Sequence, residues 1–196
     1  MKTKLVQGYG IYTKGVYKSE IDGDEATEYG IWASMIKRCR PDGNLQLRQP
    51  AYIGCSVHPD FINFQWFAEW CQSQIGFGLK GWAMDKDILI QGNKVYGPDT
   101  CCFVPRELNL MLTHKRKNQG AYPTGVSYHK QSGKYRTQIH TDGKNLCIGS
   151  FKTPEEASEA YKVAKLAEIH RQADIYKERI DPRVYAALKA YRFDSK

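Results

Sequence analysis

The sequence predicts an α+β fold in two parts: an N-terminal domain built around a strand–loop–strand–helix stretch, and a C-terminal three-stranded antiparallel sheet packed on a helix. Three observations predict it. Apolar or alternating runs at 126–128, 135–139 and 146–148 are separated by turn signals at 131–133 and 141–144, which gives three strands in two tight hairpins. Thr153 and Glu156 then form a capping box with Pro154 in the first helical position, and Ala157, Ala160, Tyr161 and Ala164 make a small-residue stripe that lets a helix lie close on a sheet. Upstream, MDKDILIQGNKVYGPDTCCFVPRELN (84–109) places Asp85 and Asp87 at alternate positions of an apolar run. Turn signals follow at 92–93 and 97–98, then a short strand at 101–104, and Pro105 opens a helix carrying Asn109.

The other elements follow in chain order. Residues 2–17 mix Gly8, Gly10 and Gly15 with Val6, Tyr9, Ile11, Tyr12 and Val16, which suggests extended chain or a short hairpin, and 20–28 is an acidic loop. Trp32, Met35, Ile36 and Cys39 recur at helical spacing, with a stop at 41–43. A loop with a short strand at 52–57 leads to a core helix in which Asp60 is the expected cap and Ile62, Trp66, Phe67, Trp70 and Cys71 share the buried face. The polar, basic run THKRKNQGAYPTG is the best linker in the chain. The expected division is 1–114 as the first domain, 115–123 as the linker, 124–178 as the second domain and 179–196 as a terminal helix, in which Asp181 caps and Val184, Ala187, Leu188 and Tyr191 share a face.

Composition narrows the classes of function. The 196 residues are 41% hydrophobic and 12% aromatic, enough for real cores and too apolar for a disordered tail. There is no apolar leader and no apolar run of membrane-spanning length, so a cytoplasmic protein without a membrane partner is expected. Six scattered cysteines without a CxxC pair read as reduced buried thiols, and no structural zinc is expected.

The charge is concentrated. Between 113 and 152, eight Lys and Arg stand against Asp142 alone, a net +7 of the chain's +8. A polyanion partner is the simplest consequence. A helix covers one face of the C-terminal sheet and leaves the other open, and Lys130, Lys134, Arg136, Gln138, His140, Lys144 and Asn145 are available to line it, though alternate strand residues must split between the faces. Such a ribbon can enter a DNA major groove, with Arg and Lys on guanine or phosphate and Asn or Gln on adenine. Lys115, Arg116 and Lys117 are either a solvated linker or phosphate contacts. Asp85, Asp87 and Asn109 either surround a divalent metal with oxygen ligands or are ordinary edge residues.

Residues 122–174 resemble the Apetala-two-type DNA-binding domain of plant transcription factors and of mobile endonucleases from phages and bacteria. The matching residues are Gly125, Val126, Lys134, Tyr135, Ile139, Gly149, Ser150, Phe151, Thr153, Pro154, Glu155, Glu156, Ala157, Ala160 and Tyr161. The resemblance implies a three-stranded sheet seated in the major groove of double-stranded DNA. Several arginines of that family are replaced here, by Ser127, His129 and Gln138, and an aromatic by Cys147. Residues 29–112 resemble the HNH-type (His-Me finger) homing endonucleases that carry such a domain. That likeness implies a degenerate HNH-like ββα domain with Mg²⁺ or a similar ion on Asp85 and Asn109, Asp87 assisting and Lys86 at the scissile phosphate. Lys86 fills the slot of the water-activating histidine, and Thr100 that of the central asparagine. His58 or His114 would substitute for that histidine if the fold brought either close.

Two functions follow as expectations. One is a phage-type homing or mobile endonuclease that cleaves DNA phosphodiesters with a divalent metal, acting in a bacterial host cell if phage-encoded. The other is a catalytically inactive HNH-like protein that binds DNA sequence-specifically as a scaffold or regulator. RNA binding by the same basic sheet is a third reading.

Overall fold

The computed structural model describes residues 3–40, 44–112 and 121–193. The fold is mixed α+β, with several two-stranded ladders and one three-stranded antiparallel sheet. The chain divides into two compact units, Met1–Asn109 with Arg179–Ala187, and Leu110–Glu178 with Leu188–Lys196.

In the first unit, β1 (Thr3–Val6) and β2 (Gly10–Thr13) form a hairpin, and β3 (Glu20–Ile21) with β4 (Asp24–Glu25) forms another where the sequence suggested only an acidic loop. Helix α1 (Thr27–Cys39) buries Trp32, Met35, Ile36 and Cys39, the stripe its spacing predicts. Trp32 is fully enclosed, and its indole Nε1–H donates to the Phe61 carbonyl at 2.8 Å, so the largest core side chain leaves no polar atom unpaired. Helix α2 (Asn44–Arg48) and a 3-10 turn at Pro50–Tyr52 occupy most of the stretch expected to be loop, and the strand expected at 52–57 shrinks to β5 (Ser56–Val57). Two short helices follow, α3 (Pro59–Ile62) and α4 (Phe64–Gln72).

The break between these helices corrects the expectation of one continuous helix. Asn63 is extended (φ −86°, ψ 123°) and its side chain accepts from Gln65 N–H at 2.9 Å, so it restarts the helix with a new phase. The buried face of α4 becomes Phe64, Phe67, Ala68 and Cys71, and Trp66, expected inside, is 69% exposed. The cap of α3 is His58, whose Nδ1 accepts from Asp60 N–H at 3.3 Å, rather than Asp60. Downstream, β6 (Trp82–Asp85), a loop that carries the short β7 (Val95–Tyr96), β8 (Cys102–Pro105) and α5 (Arg106–Leu112) follow in order; β7 pairs in parallel with β5, and β6 antiparallel with β8. All six cysteines are free thiols.

The second unit is β9 (Val126–His129), β10 (Lys134–Thr141), β11 (Lys144–Phe151) and α6 (Pro154–Tyr176), with β10 central in the sheet. The two-residue turn between β10 and β11 holds Asp142 and Gly143 at φ +48° and +74°, the left-handed geometry that matches strand twist. The capping box of Thr153 and Glu156 is formed at the start of α6. Gly125 sits at φ +79° directly against the Tyr161 ring, where any Cβ would collide, so glycine is what lets the sheet edge approach α6. Thr137 is fully buried and its hydroxyl donates to the Gly125 carbonyl at 2.8 Å. Helix α7 (Pro182–Ala190) has residues in each of the two units. Asp181 accepts from Arg183 N–H at its start, and Val184 and Leu188 are buried. No helix among the described residues is long and apolar enough to cross a membrane.

Candidate functional site

The strand carrying Asp85 ends there, earlier than its alternating pattern suggested. Asp85 Oδ1 accepts N–H bonds from both Asp87 and Ile88 at 2.8 Å, an Asx turn that pulls the chain out of the ladder. Asp87 therefore lies in the following loop rather than beside Asp85 on a strand. Burial, then the Asp87 charge, pushes the Asp85 carboxyl up to about 6, against the lowering effect of those two N–H bonds.

Lys86 is the least expected member of the group. It is only 7% exposed, and its ammonium donates to the Asn93 carbonyl at 3.0 Å and to Asp87 Oδ2 at 3.2 Å, with the Tyr96 ring centroid 5.9 Å away. Its charge is turned into its own loop. Asn93, which the sequence marked only as a turn residue, ties that loop shut: its Nδ2 donates to the Lys86 and Val95 carbonyls at 2.6 and 2.7 Å, and its Oδ1 accepts from Val95 N–H at 3.2 Å. An Asn beside Gly92 was the only signal, and it does not say which carbonyls the amide will reach. Thr100 closes the next turn through its hydroxyl to the Val95 carbonyl at 2.7 Å.

Asn109 lies half-buried in α5, beside the buried Leu108. The register pairs Asp85 with Cys102 and Trp82 with Pro105, so α5 begins at the far end of the hairpin, roughly 10 Å of strand from the Asp85 level. His58 uses Nδ1 as a helix cap, and His114 lies outside the described residues. A divalent ion needs several oxygen ligands with lone pairs to give. Here one Asp85 oxygen already holds two N–H groups and an ammonium lies against Asp87. Among the described residues, no group of three or more His, Cys, Asp and Glu is disposed to hold a metal. The residues present fit such an ion poorly.

The C-terminal sheet arranges its charges in the opposite way. Along β10, Lys134, Arg136, Gln138 and His140 are exposed, while Thr137 and Ile139 between them are buried under α6. Strand alternation therefore puts the four polar side chains on one open face. Register adds Ser127 and His129 from β9, and Asn145, Cys147 and Ser150 from β11, as direct cross-strand partners on that face. No hydrogen bond or ion pair engages the side chains of Lys134, Arg136 or Gln138 among the described residues, whereas His140 Nδ1 and Asn145 Oδ1 are joined at 3.1 Å. Lys144 pairs with Thr141, whose hydroxyl bonds Glu168 of α6, so its register is that of the helix side, and Lys130 lies in the β9–β10 turn. Lys115, Arg116 and Lys117 lie outside the described residues.

The far end of this face is pinned from behind. Arg171 donates to Glu168 Oε2 and to Asp142 Oδ1, each at 2.8 Å, and Glu168 also accepts from Thr141 and Gln172. The Arg171 guanidinium, helped by those two donors, holds the Glu168 carboxyl down to about 2 against the effect of burial. The β10–β11 turn is thus fixed to α6 by a satisfied polar network. No protein-family model, curated protein or solved structure matches this chain.

Proposed function

We propose that this chain binds double-stranded DNA through the open face of its C-terminal sheet, as an Apetala-two-type domain joined to a degenerate HNH-like (His-Me finger) domain. The observation that carries the reading is the shared exposure of Lys134, Arg136, Gln138 and His140 on one strand, backed by a helix on the other side. A three-stranded ribbon of that kind fits the major groove, its cations meet phosphate or guanine, and its amides meet base edges. The N-terminal domain acts as a scaffold or regulator, because Lys86 and Asp85 are committed to their own loop.

The test is binding of the full chain to duplex DNA over a range of salt concentrations. Affinity that falls linearly on log–log axes supports the reading, and absence of binding at low salt overturns it.

A second reading, metal-dependent cleavage of DNA as an HNH-type homing endonuclease, is favoured by one observation: the order β6, loop, β8, α5, with an acid at the end of β6. Incubation with DNA in Mg²⁺ or Mn²⁺ separates the two. Metal-dependent nicks abolished by Asp85→Ala would establish cleavage, and binding without nicks leaves the scaffold.

A further inference from the structure

We infer that a one-residue bulge in β11 selects the side chains with which that strand meets DNA, making Asn145 a specificity-determining residue and keeping Lys144 off the reading face. The inference rests on the DNA-binding reading and deepens it by assigning the residue of β11 that contacts a base. Seven residues of β10 (135–141) stand opposite eight of β11 (144–151). The ladder runs evenly from the pair of Tyr135 and Phe151 to that of Thr137 and Gly149, then passes directly to Gln138 and Cys147. Ile148 is the residue left without a cross-strand partner.

Side chains alternate along a strand, so one extra residue exchanges the faces of everything beyond it. From Ser150, the open-face partner of Arg136, unbroken alternation would send Ile148, Leu146 and Lys144 outward and turn Cys147 and Asn145 toward α6. The bulge reverses this. Cys147 stands opposite Gln138 and Asn145 opposite His140 on the open face, while Leu146 stands opposite the buried Ile139 and Lys144 opposite Thr141 on the helix side. The 3.1 Å contact between Asn145 Oδ1 and His140 Nδ1 puts those two side chains together on the open face. The strand is held at both ends: Thr141 and Asp142 bond Glu168 and Arg171 of α6, and Phe151 leads into the Thr153 and Glu156 capping box that starts the same helix. A slip of register at either end would break those bonds, so the extra residue is absorbed between them.

The open face is thereby divided. Lys134 and Arg136 at one end supply attraction to phosphate, and Gln138 and Asn145 at the other present amides, which carry both donors and acceptors for base edges. One bond to His140 leaves the Asn145 amide with donor and acceptor capacity to spare, whichever way it is turned. A lysine in that place would favour phosphate, which carries no sequence information.

The experiment exchanges the two neighbours. The full chain carrying Lys144→Asn together with Asn145→Lys keeps its composition and net charge, and both positions are exposed, so the fold has little reason to change. Wild type, this exchanged variant and Asn145→Ala are each put through selection from duplex DNA with a randomised centre and through titrations at several salt concentrations. Asn145→Ala should lose the base preference at one position and bind the selected duplex roughly tenfold more weakly. The exchanged variant should lose the preference at that same position and show a log–log salt slope steeper by about 1, because its lysine now lies on the reading face. If the exchanged variant keeps the wild-type slope and profile, the bulge does not sort these residues. If Asn145→Ala keeps the profile, or the wild type binds duplex DNA without selecting a sequence, Asn145 does not determine specificity. In each of those cases DNA binding stands, whereas a wild type that retains no duplex overturns both proposals.

Discussion

The loop after β6 and the open face of the C-terminal sheet carry similar residues, a lysine, acids or amides and an asparagine, yet they direct them oppositely. In the loop, Asn93 closes the backbone on itself and Lys86 is folded in against Asn93 and Asp87. On the sheet, alternation sends Lys134, Arg136 and Gln138 outward, and a buried acid of that unit, Glu168, works from behind the sheet to hold its turn. What separates the two is the backbone. A tight loop brings carbonyls within reach of a flexible ammonium, whereas a strand occupies its carbonyls in the ladder and projects its side chains into solvent.

The largest expected effect tests the outward face. Lys134→Ala combined with Arg136→Ala should lower duplex DNA affinity on the order of a hundredfold at low salt and make the log–log salt slope shallower by about 2, as read by titration at several salt concentrations. Unchanged binding would end the contrast between the regions. Next in size, Asn93→Ala removes three hydrogen bonds from the inward loop. It should cost the N-terminal unit about 2–3 kcal/mol in denaturant unfolding and leave DNA affinity intact.

A comparable effect should come from pH in the second unit. The Glu168 carboxyl is held below its ordinary range in the fold, so its contribution is complete above about pH 5 and disappears as pH falls toward 2. Glu168→Gln should remove that dependence, which is on the order of 2 kcal/mol, in thermal melts taken across the range. Lys86→Met, which keeps the apolar stem and removes the ammonium, should cost about 1 kcal/mol with DNA affinity unchanged. The smallest expected effect is that of Asp85→Ala on DNA binding, which should be none, and wild-type protein in Mg²⁺ should bind without nicking. A metal-dependent nick lost in that variant would turn the inward loop into a second working site.

Legibility in the sequence followed the range of the interactions. The C-terminal strands, the Thr153 and Glu156 cap and the α1 stripe were readable because period-2 and period-3.6 patterns and capping pairs are local. The face of Trp66 was misread because Asn63, with its own cap, resets the helical phase, and one extended residue inside an aromatic-rich run leaves little mark on periodicity. In the loop after β6, Lys86 and Asn93 bond main-chain carbonyls, and no residue pattern records those partners.

The sequence by itself determined the α+β class, the three-stranded sheet with its helix, and the concentration of positive charge between 113 and 152, since hydrophobic period, turn chemistry and net charge are properties of the chain alone. The tertiary structure decided which charges are available. It sorted Lys134, Arg136, Gln138, His140 and Asn145 onto one face, assigned Lys144 to the other register, and turned Lys86 inward. Availability depends on where each strand ends, and Asp85 ends its strand with a pair of hydrogen bonds that only the folded backbone can offer.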